Sequence, residues 1–274
     1  MYNQNTNIMN KHDKKIQKEV LRWQDAEPFD LYKNFHELYK EDNESHYFVR
    51  GTDFYLSDEG LAALTDGENG VLKRVDLWFG LKKFEKKDIT FAPILGLTFD
   101  KDGVEKSSFY HMLPTPMEKR VKLNLNSTEG SSVISVPFVD EVRNNWIDTT
   151  SEQIADTLTS QSVEGLKRIV VYQIDGAGLE FLSTNREMLT GFKMYPGVDR
   201  NKSTPANISF ITVFGLQFST LQDTARDVLF DSSGFGISWK IGGDSGEDDD
   251  ELFLDFSKPC PPTCWPPPPP PPAE

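Results

Sequence analysis

Apolar positions along the chain follow a helical period at the start and a strand period through most of the rest. Ile16, Val20 and Trp23 fall at i, i+4 and i+7, which predicts a one-faced helix that stops before Pro28. Asp30 follows as a cap, and Leu31, Phe35, Leu38 and Tyr39 predict a second helix. Ser57 is placed to cap a short helix running to Leu64. From Val71 the period changes. Val71–Leu81, Thr90–Phe99 and Ser107–Leu113 are runs of β-branched and aromatic residues and predict strands. Asp102-Gly103, between the last two, predicts a tight hairpin, because glycine accepts the positive φ of a primed turn.

Further strands are predicted at Lys119–Asn124 and Ser132–Val139, joined by a polar turn over Asn126–Ser131. Thr150-Ser151-Glu152-Gln153 fits a capping box, so one helix interrupts, with Ile154, Leu158 and Leu166 on its buried face. Strands resume at Arg168–Ile174, around Gly191–Tyr195, and at Ile208–Phe218, Val228–Phe230 and Phe235–Ile241. Helices at the front, one inserted helix and many successive strands predict an α+β fold. Its sheet is largely antiparallel, sandwich-like or an open layer. The segments read as a polar terminus over 1–10, a helical part over 11–45, a strand-rich body over 46–243, an acidic and apolar linker over 244–258 and a proline-rich tail over 259–274.

Composition changes this picture only at the C-terminal end. The chain has 274 residues and a net charge of −14, from 29 Lys plus Arg against 43 Asp plus Glu. Eight of the acids and only one base, Lys258, lie in Asp244–Glu274, together with ten of the 17 prolines and both cysteines, Cys260 and Cys264. An acidic chain is a poor fit for nucleic acid or an anionic surface. The lysines at 82, 83, 86 and 87, in a locally positive stretch, read as solvated loop residues. No run approaches the length of a membrane span and no signal segment stands at the start, so the expected setting is a reducing one such as the cytoplasm, without membrane insertion.

The motifs that carry chemistry all fail on spacing. His36-Glu37-Leu38-Tyr39-Lys40 has a lysine where a zinc helix needs its second histidine. Asp175-Gly176-Ala177-Gly178 follows a strand, but Phe181 occupies the third glycine position of a dinucleotide loop, so a tight turn is expected. Gly243-Asp244-Ser245-Gly246 looks like the nucleophile loop of trypsin-like serine proteases, yet the acids 247–251 would oppose an oxyanion. The same acids miss the ligand spacing of a calcium loop. Cys260 and Cys264 supply only two of the four donors of a structural zinc site. The expectation is no catalytic residue, no metal and no cofactor.

The tail is the informative part. Trp265 precedes the uninterrupted prolines Pro266–Pro272, a polyproline II rod of the kind aromatic grooves accept, with Pro269 at its centre. Upstream, Leu252, Phe253, Leu254 and Phe256 form an apolar anchor behind five acids. Such an arm docks on a partner or sister subunit, or else adds a strand to the body's own sheet. The leading expectation is therefore a non-enzymatic interaction or assembly protein acting through 244–274. The alternative is a β-rich ligand-binding domain or enzyme, glycan-directed in one form, with Trp78, Tyr110, Trp146 and Tyr195 as exposed aromatics beside Asp140, Glu141 and Asp148.

Overall fold

The computed structural model describes residues 11–40, 46–84, 88–115, 136–162, 165–174, 176–200, 209–218, 251–254 and 257–260. Helix α1 (Lys11–Asp25) carries Ile16 and Trp23 on its buried face and ends ahead of Pro28 as the spacing predicts. Helix α2 (Pro28–Asn34) is shorter than the apolar pattern predicts, with proline in its first turn. Leu38 and Tyr39 are not part of it. They lie in strand β1 (His36–Lys40), which pairs antiparallel with β2 (His46–Arg50), so a hairpin crosses the expected boundary at residue 45. Strand β3 (Phe54–Leu56) leads into α3 (Asp58–Thr65), where Ser57 accepts the Gly60 amide at 3.3 Å, as its capping role requires.

Three long strands follow: β4 (Val71–Phe84), β5 (Asp88–Lys101) and β6 (Val104–Pro114). Asp102 (φ 56°) and Gly103 (φ 77°) both adopt positive φ between β5 and β6, and the Asp100 carboxylate accepts the Gly103 amide at 2.9 Å. This is the primed turn read from Asp-Gly. The predicted strand over Ser132–Val139 is corrected. From Val136 the chain is helix α4 (Val136–Asp148), because Val139, Val142 and Trp146 recur at helical spacing and all three are buried. Helix α5 (Ser151–Leu158) has its capping box, with the Thr150 amide donating to Gln153 Oε1 at 3.0 Å. Leu166 lies beyond that helix, in a small hairpin of β7 (Thr159–Ser162) and β8 (Gly165–Arg168).

The predicted strand over Arg168–Ile174 is divided between β8 and β9 (Val171–Ile174). Helix α6 (Gly176–Asn185) then stands where only a turn is expected, with Gly176 at φ 55° at its start. Strands β10 (Leu189–Val198) and β11 (Phe210–Phe218) complete the body, and β12 (Glu251–Leu254) and β13 (Ser257–Cys260) belong to the C-terminal arm. The predicted strands at Lys119–Asn124, Val228–Phe230 and Phe235–Ile241 lie outside the described residues.

Among the described residues the main sheet has nine strands in the order β12-β11-β10-β3-β6-β5-β4-β9-β13, and each of these pairings is antiparallel. The α+β, antiparallel expectation holds. The sheet curls until it is nearly barrel-shaped. Alternation sorts its residues. Val75, Leu77, Phe79 and Leu81 of β4, Phe91, Leu95, Leu97 and Phe99 of β5, and Phe192, Met194, Phe210, Phe214 and Leu216 of β10 and β11 share one core. Trp23 joins it from α1, with its ring 5.4 Å from Phe79 and 5.5 Å from Phe91, and its indole N–H bonded to the Ile169 carbonyl at 2.7 Å. On the other face α1 covers Gly80, where a Cβ would come within 3.3 Å of Glu19, and α4 packs Val139 and Val142 on Tyr195, Ile211 and Val213. Both faces of the sheet are thus dry over much of its area, which gives the buried aromatics their role.

Candidate functional site at the two sheet edges

Strands β12 and β13 are separated by two residues yet stand at opposite ends of the sheet order. Leu254 and Ser257 lie at most about 11 Å apart along the chain. A flat nine-stranded sheet would hold its edges roughly 38 Å apart. Only a curled sheet satisfies both, so the arm spans the seam where the sheet's two edges approach. On one side Leu254, Phe253, Leu252 and Glu251 stand in register with Phe214, Gly215, Leu216 and Gln217 of β11. On the other, Ser257, Lys258, Pro259 and Cys260 stand in register with Ile174, Gln173, Tyr172 and Val171 of β9. Proline lacks an amide to extend a ladder, so Pro259 fits an outermost strand and no interior one.

The body meets itself across the same seam. The Tyr172 phenol on β9 donates to the Phe210 carbonyl on β11. Phe210 also stacks edge-on to Phe79 of β4 with centroids 5.5 Å apart. The curl therefore rests on interior aromatics, and the arm covers the edges that the curl brings together.

Two largely buried polar pairs fix the surrounding helices. Glu19 of α1, 1% exposed, lies 2.6 Å from Nε2 of His111 on β6. Arg143 of α4 donates to both carboxylate oxygens of Asp53 at 2.9 and 3.1 Å, and Thr52 donates to the same carboxylate. The Arg143 guanidinium lies 5.1 Å from the Tyr195 ring. Burial pushes the Asp140 carboxyl up, against the attraction of Arg143. On β4, burial pushes the Asp76 carboxyl up to about 6, although Arg74 Nε stands 2.7 Å away and pulls the other way. Burial outweighs the ion pair there because Arg74 is half in solvent while Asp76 is not. His36 is held below the usual histidine range by burial, and its Nδ1 lies 2.8 Å from the Tyr32 carbonyl.

Other arginines serve main-chain carbonyls. Arg168 donates to Trp23 and Gln24 at 2.8 and 3.3 Å and also to Ala26, closing the C-terminal end of α1. Arg186 donates to Leu64, Asp66 and Gly70 at 3.1, 3.1 and 2.7 Å, doing the same for α3. These are the exposed carbonyls that a helix end leaves unsatisfied. None of these groups forms a nucleophile–base pair, and among the described residues no group of three or more His, Cys, Asp or Glu is placed to hold a metal ion.

The aromatics expected to line a ligand cleft are dispersed. Trp146 is fully buried, edge-on to Phe35 and Phe210 and bonded through its indole N–H to the Gly51 carbonyl at 3.0 Å. Tyr195 is buried under α4. Neither is the exposed ring the alternative requires. Tyr110 packs on the main core, whereas Trp78 occupies the opposite face of the sheet, its indole N–H buried and without a partner among the described residues. Of the arm residues, Leu252, Phe253 and Leu254 are in β12, and Phe256, Trp265, Pro266 and Pro269 lie outside the described residues, as do the acids 244–250. The receiving edges, 171–174 and 214–217, are absent from the sequence expectation. Pro259 after a β-rich run carries the one sequence signal of an outermost strand.

Among the described residues no helix is long and apolar enough to cross a membrane. No protein-family model, curated protein or solved structure matches the chain.

Proposed function

We propose that the protein is a non-enzymatic interaction or assembly protein whose C-terminal arm engages a partner or sister subunit. The observation that supports this reading is the register of 251–254 on β11 and of 257–260 on β9, one short segment serving two edges. An edge strand offers unpaired amides and carbonyls to any extended chain, which is how sheets recruit peptides. The arm's hold on those edges is modest. Each strand has four residues, and a hydrogen bond contributes about 1 kcal/mol net. A segment held so lightly can leave, which exposes two edges and frees an apolar, acidic and proline-rich arm at once.

The test compares the full-length chain with a Leu252→Asp/Leu254→Asp variant, by mass in solution and by capture of bound protein from the native source. The expected result is loss of association by at least tenfold with a cooperative thermal transition retained. Unchanged association in the variant overturns the reading.

A further inference from the structure

We infer that Arg50, Tyr32 and His36 form a binding site for a carboxylate group. The site lies on the β1–β2 hairpin and α2, and it does not depend on the C-terminal arm.

The arginines that serve main-chain carbonyls use their donors unequally, although every guanidinium carries the same set of N–H groups. Arg168 and Arg186 each donate to three carbonyls. Arg50, 7% exposed, donates to one, that of Trp146 near the end of α4. Its Nε–H is buried and has no hydrogen-bond partner. Arg143 and Arg168 share that feature, yet Asp53 pairs with the first and Glu27 attracts the second. Of these three groups, Arg50 is the one with no carboxylate paired to it among the described residues. A buried cation without an anion is costly, because burial strips its hydration and nothing replaces it. Burial accordingly holds Arg50 below the ordinary arginine range.

The surroundings of the unused donors select the ligand. The guanidinium carbon lies 5.0 Å from the centroid of the Tyr32 ring and 5.0 Å from that of Trp146. Rings over its faces leave the in-plane edge, where Nε–H and an Nη–H run parallel and match the two oxygens of a carboxylate. A tetrahedral phosphate also fills that fork, but it turns its other oxygens out of the plane, towards the negative faces of the rings. His36 stands directly opposite Arg50 in the hairpin register, so both side chains leave the same face. The His36 ring lies 4.9 Å from that of Tyr32, and its Nδ1 donates to the Tyr32 carbonyl, which leaves Nε2 for a ligand. The Tyr32 phenol, close enough to Arg50 to favour its charge, supplies a further O–H. Tyr32 and His36 are half-buried, so the cluster meets solvent on their side while Arg50 stays covered.

The test follows the Arg50 Nε–H and His36 ring signals of the full-length chain by NMR while sodium acetate is added. Sodium chloride and inorganic phosphate at matched ionic strength serve as comparisons. The expected result is a saturable shift of both signals with acetate, at one common midpoint, and none with chloride. Absence of a saturable acetate shift overturns the site, and phosphate binding as tightly as acetate overturns the carboxylate assignment. Arg50→Lys keeps the charge and loses the fork, so it should bind acetate about tenfold more weakly. Because Arg50 also closes the end of α4, Tyr32→Phe is a second variant that leaves that contact in place; losing the phenol should weaken acetate binding about threefold. Acetate binding unchanged in both variants overturns the assignment of these residues. A short peptide with a free C-terminal carboxylate, run beside its amidated form, separates the sources. Binding tighter than acetate that vanishes on amidation assigns the carboxylate to a chain terminus, and binding equal to acetate assigns it to a small free acid. Failure of the site leaves arm docking untouched, since the arm pairs with β11 and β9.

Discussion

Tyr172 and Phe210 are hydrogen-bonded side chain to main chain although their strands, β9 and β11, stand six places apart in the order of the sheet. In a flat sheet those strands would be roughly 29 Å apart. Removing the Tyr172 hydroxyl leaves the buried Phe210 carbonyl without that donor. Tyr172→Phe is expected to lower stability by about 1–2 kcal/mol. Chemical denaturation measures it, and an unshifted midpoint would show that the seam is held by ring packing alone.

Asp76 provides a pH-dependent test. Its folded pKa of about 6 lies above the ordinary 3.8, so the folded state favours the protonated acid. The sign follows from linkage: stability associated with Asp76 is fully present below pH 4 and is lost as pH rises through 6. Asp76→Asn mimics the protonated form and should match the parent at pH 4, then exceed it by up to about 3 kcal/mol at pH 8. Urea midpoints for the two proteins across that range read the difference. Parallel curves would mean that Asp76 is not desolvated.

The Glu19–His111 pair predicts a non-additive double variant. His111→Leu leaves a buried carboxylate without that partner and should cost about 3 kcal/mol or more. Adding Glu19→Leu removes the orphaned charge, so the double variant should be more stable than His111→Leu alone. A double variant that loses the sum of the two single losses would contradict a direct pairing.

At the β5–β6 turn, a Cβ on Gly103 would meet no atom within 4 Å, so only its φ of 77° resists substitution. Gly103→Ala should therefore cost about 1 kcal/mol through backbone conformation alone. Gly103→Asn, which tolerates the left-handed region better, should recover part of that loss in the same thermal scan.

Local rules read this fold where local physics decides it. Asp102-Gly103 and the Thr150–Gln153 box each contain their own turn or cap, and both are present. The pattern misleads where a short β-branched run is also a helix face. Val136 and Val139 suit a strand, yet packing of Val139 and Val142 on Ile211 and Val213 selects α4. Helix α6 is hidden for a different reason: its start carries two glycines, which lower helix propensity, and burial of Phe181 and Leu182 overrides that. The arm was legible as a distinct object from its acids and prolines. Its receiving edges were not, because they belong to strands about 80 and 40 residues upstream whose proximity exists only once the sheet curls. Exposed-looking aromatics misled in the same way, since Trp146 and Tyr195 are covered by elements distant in sequence.

The clasp of Arg168 on α1 also sets a timetable. The guanidinium that binds the carbonyls of Trp23 and Gln24 lies 145 and 144 residues further along. Synthesis proceeds from the N-terminus, at about 5–20 residues per second. The first helix therefore leaves the ribosome several seconds before its terminal partner exists. Throughout that interval Trp23 lacks the Ile169 carbonyl that its indole N–H binds in the folded protein. The nascent chain is obliged to keep an amphipathic helix in waiting, and because the arm is made after both β9 and β11, the order of synthesis is also the order in which the sheet can close.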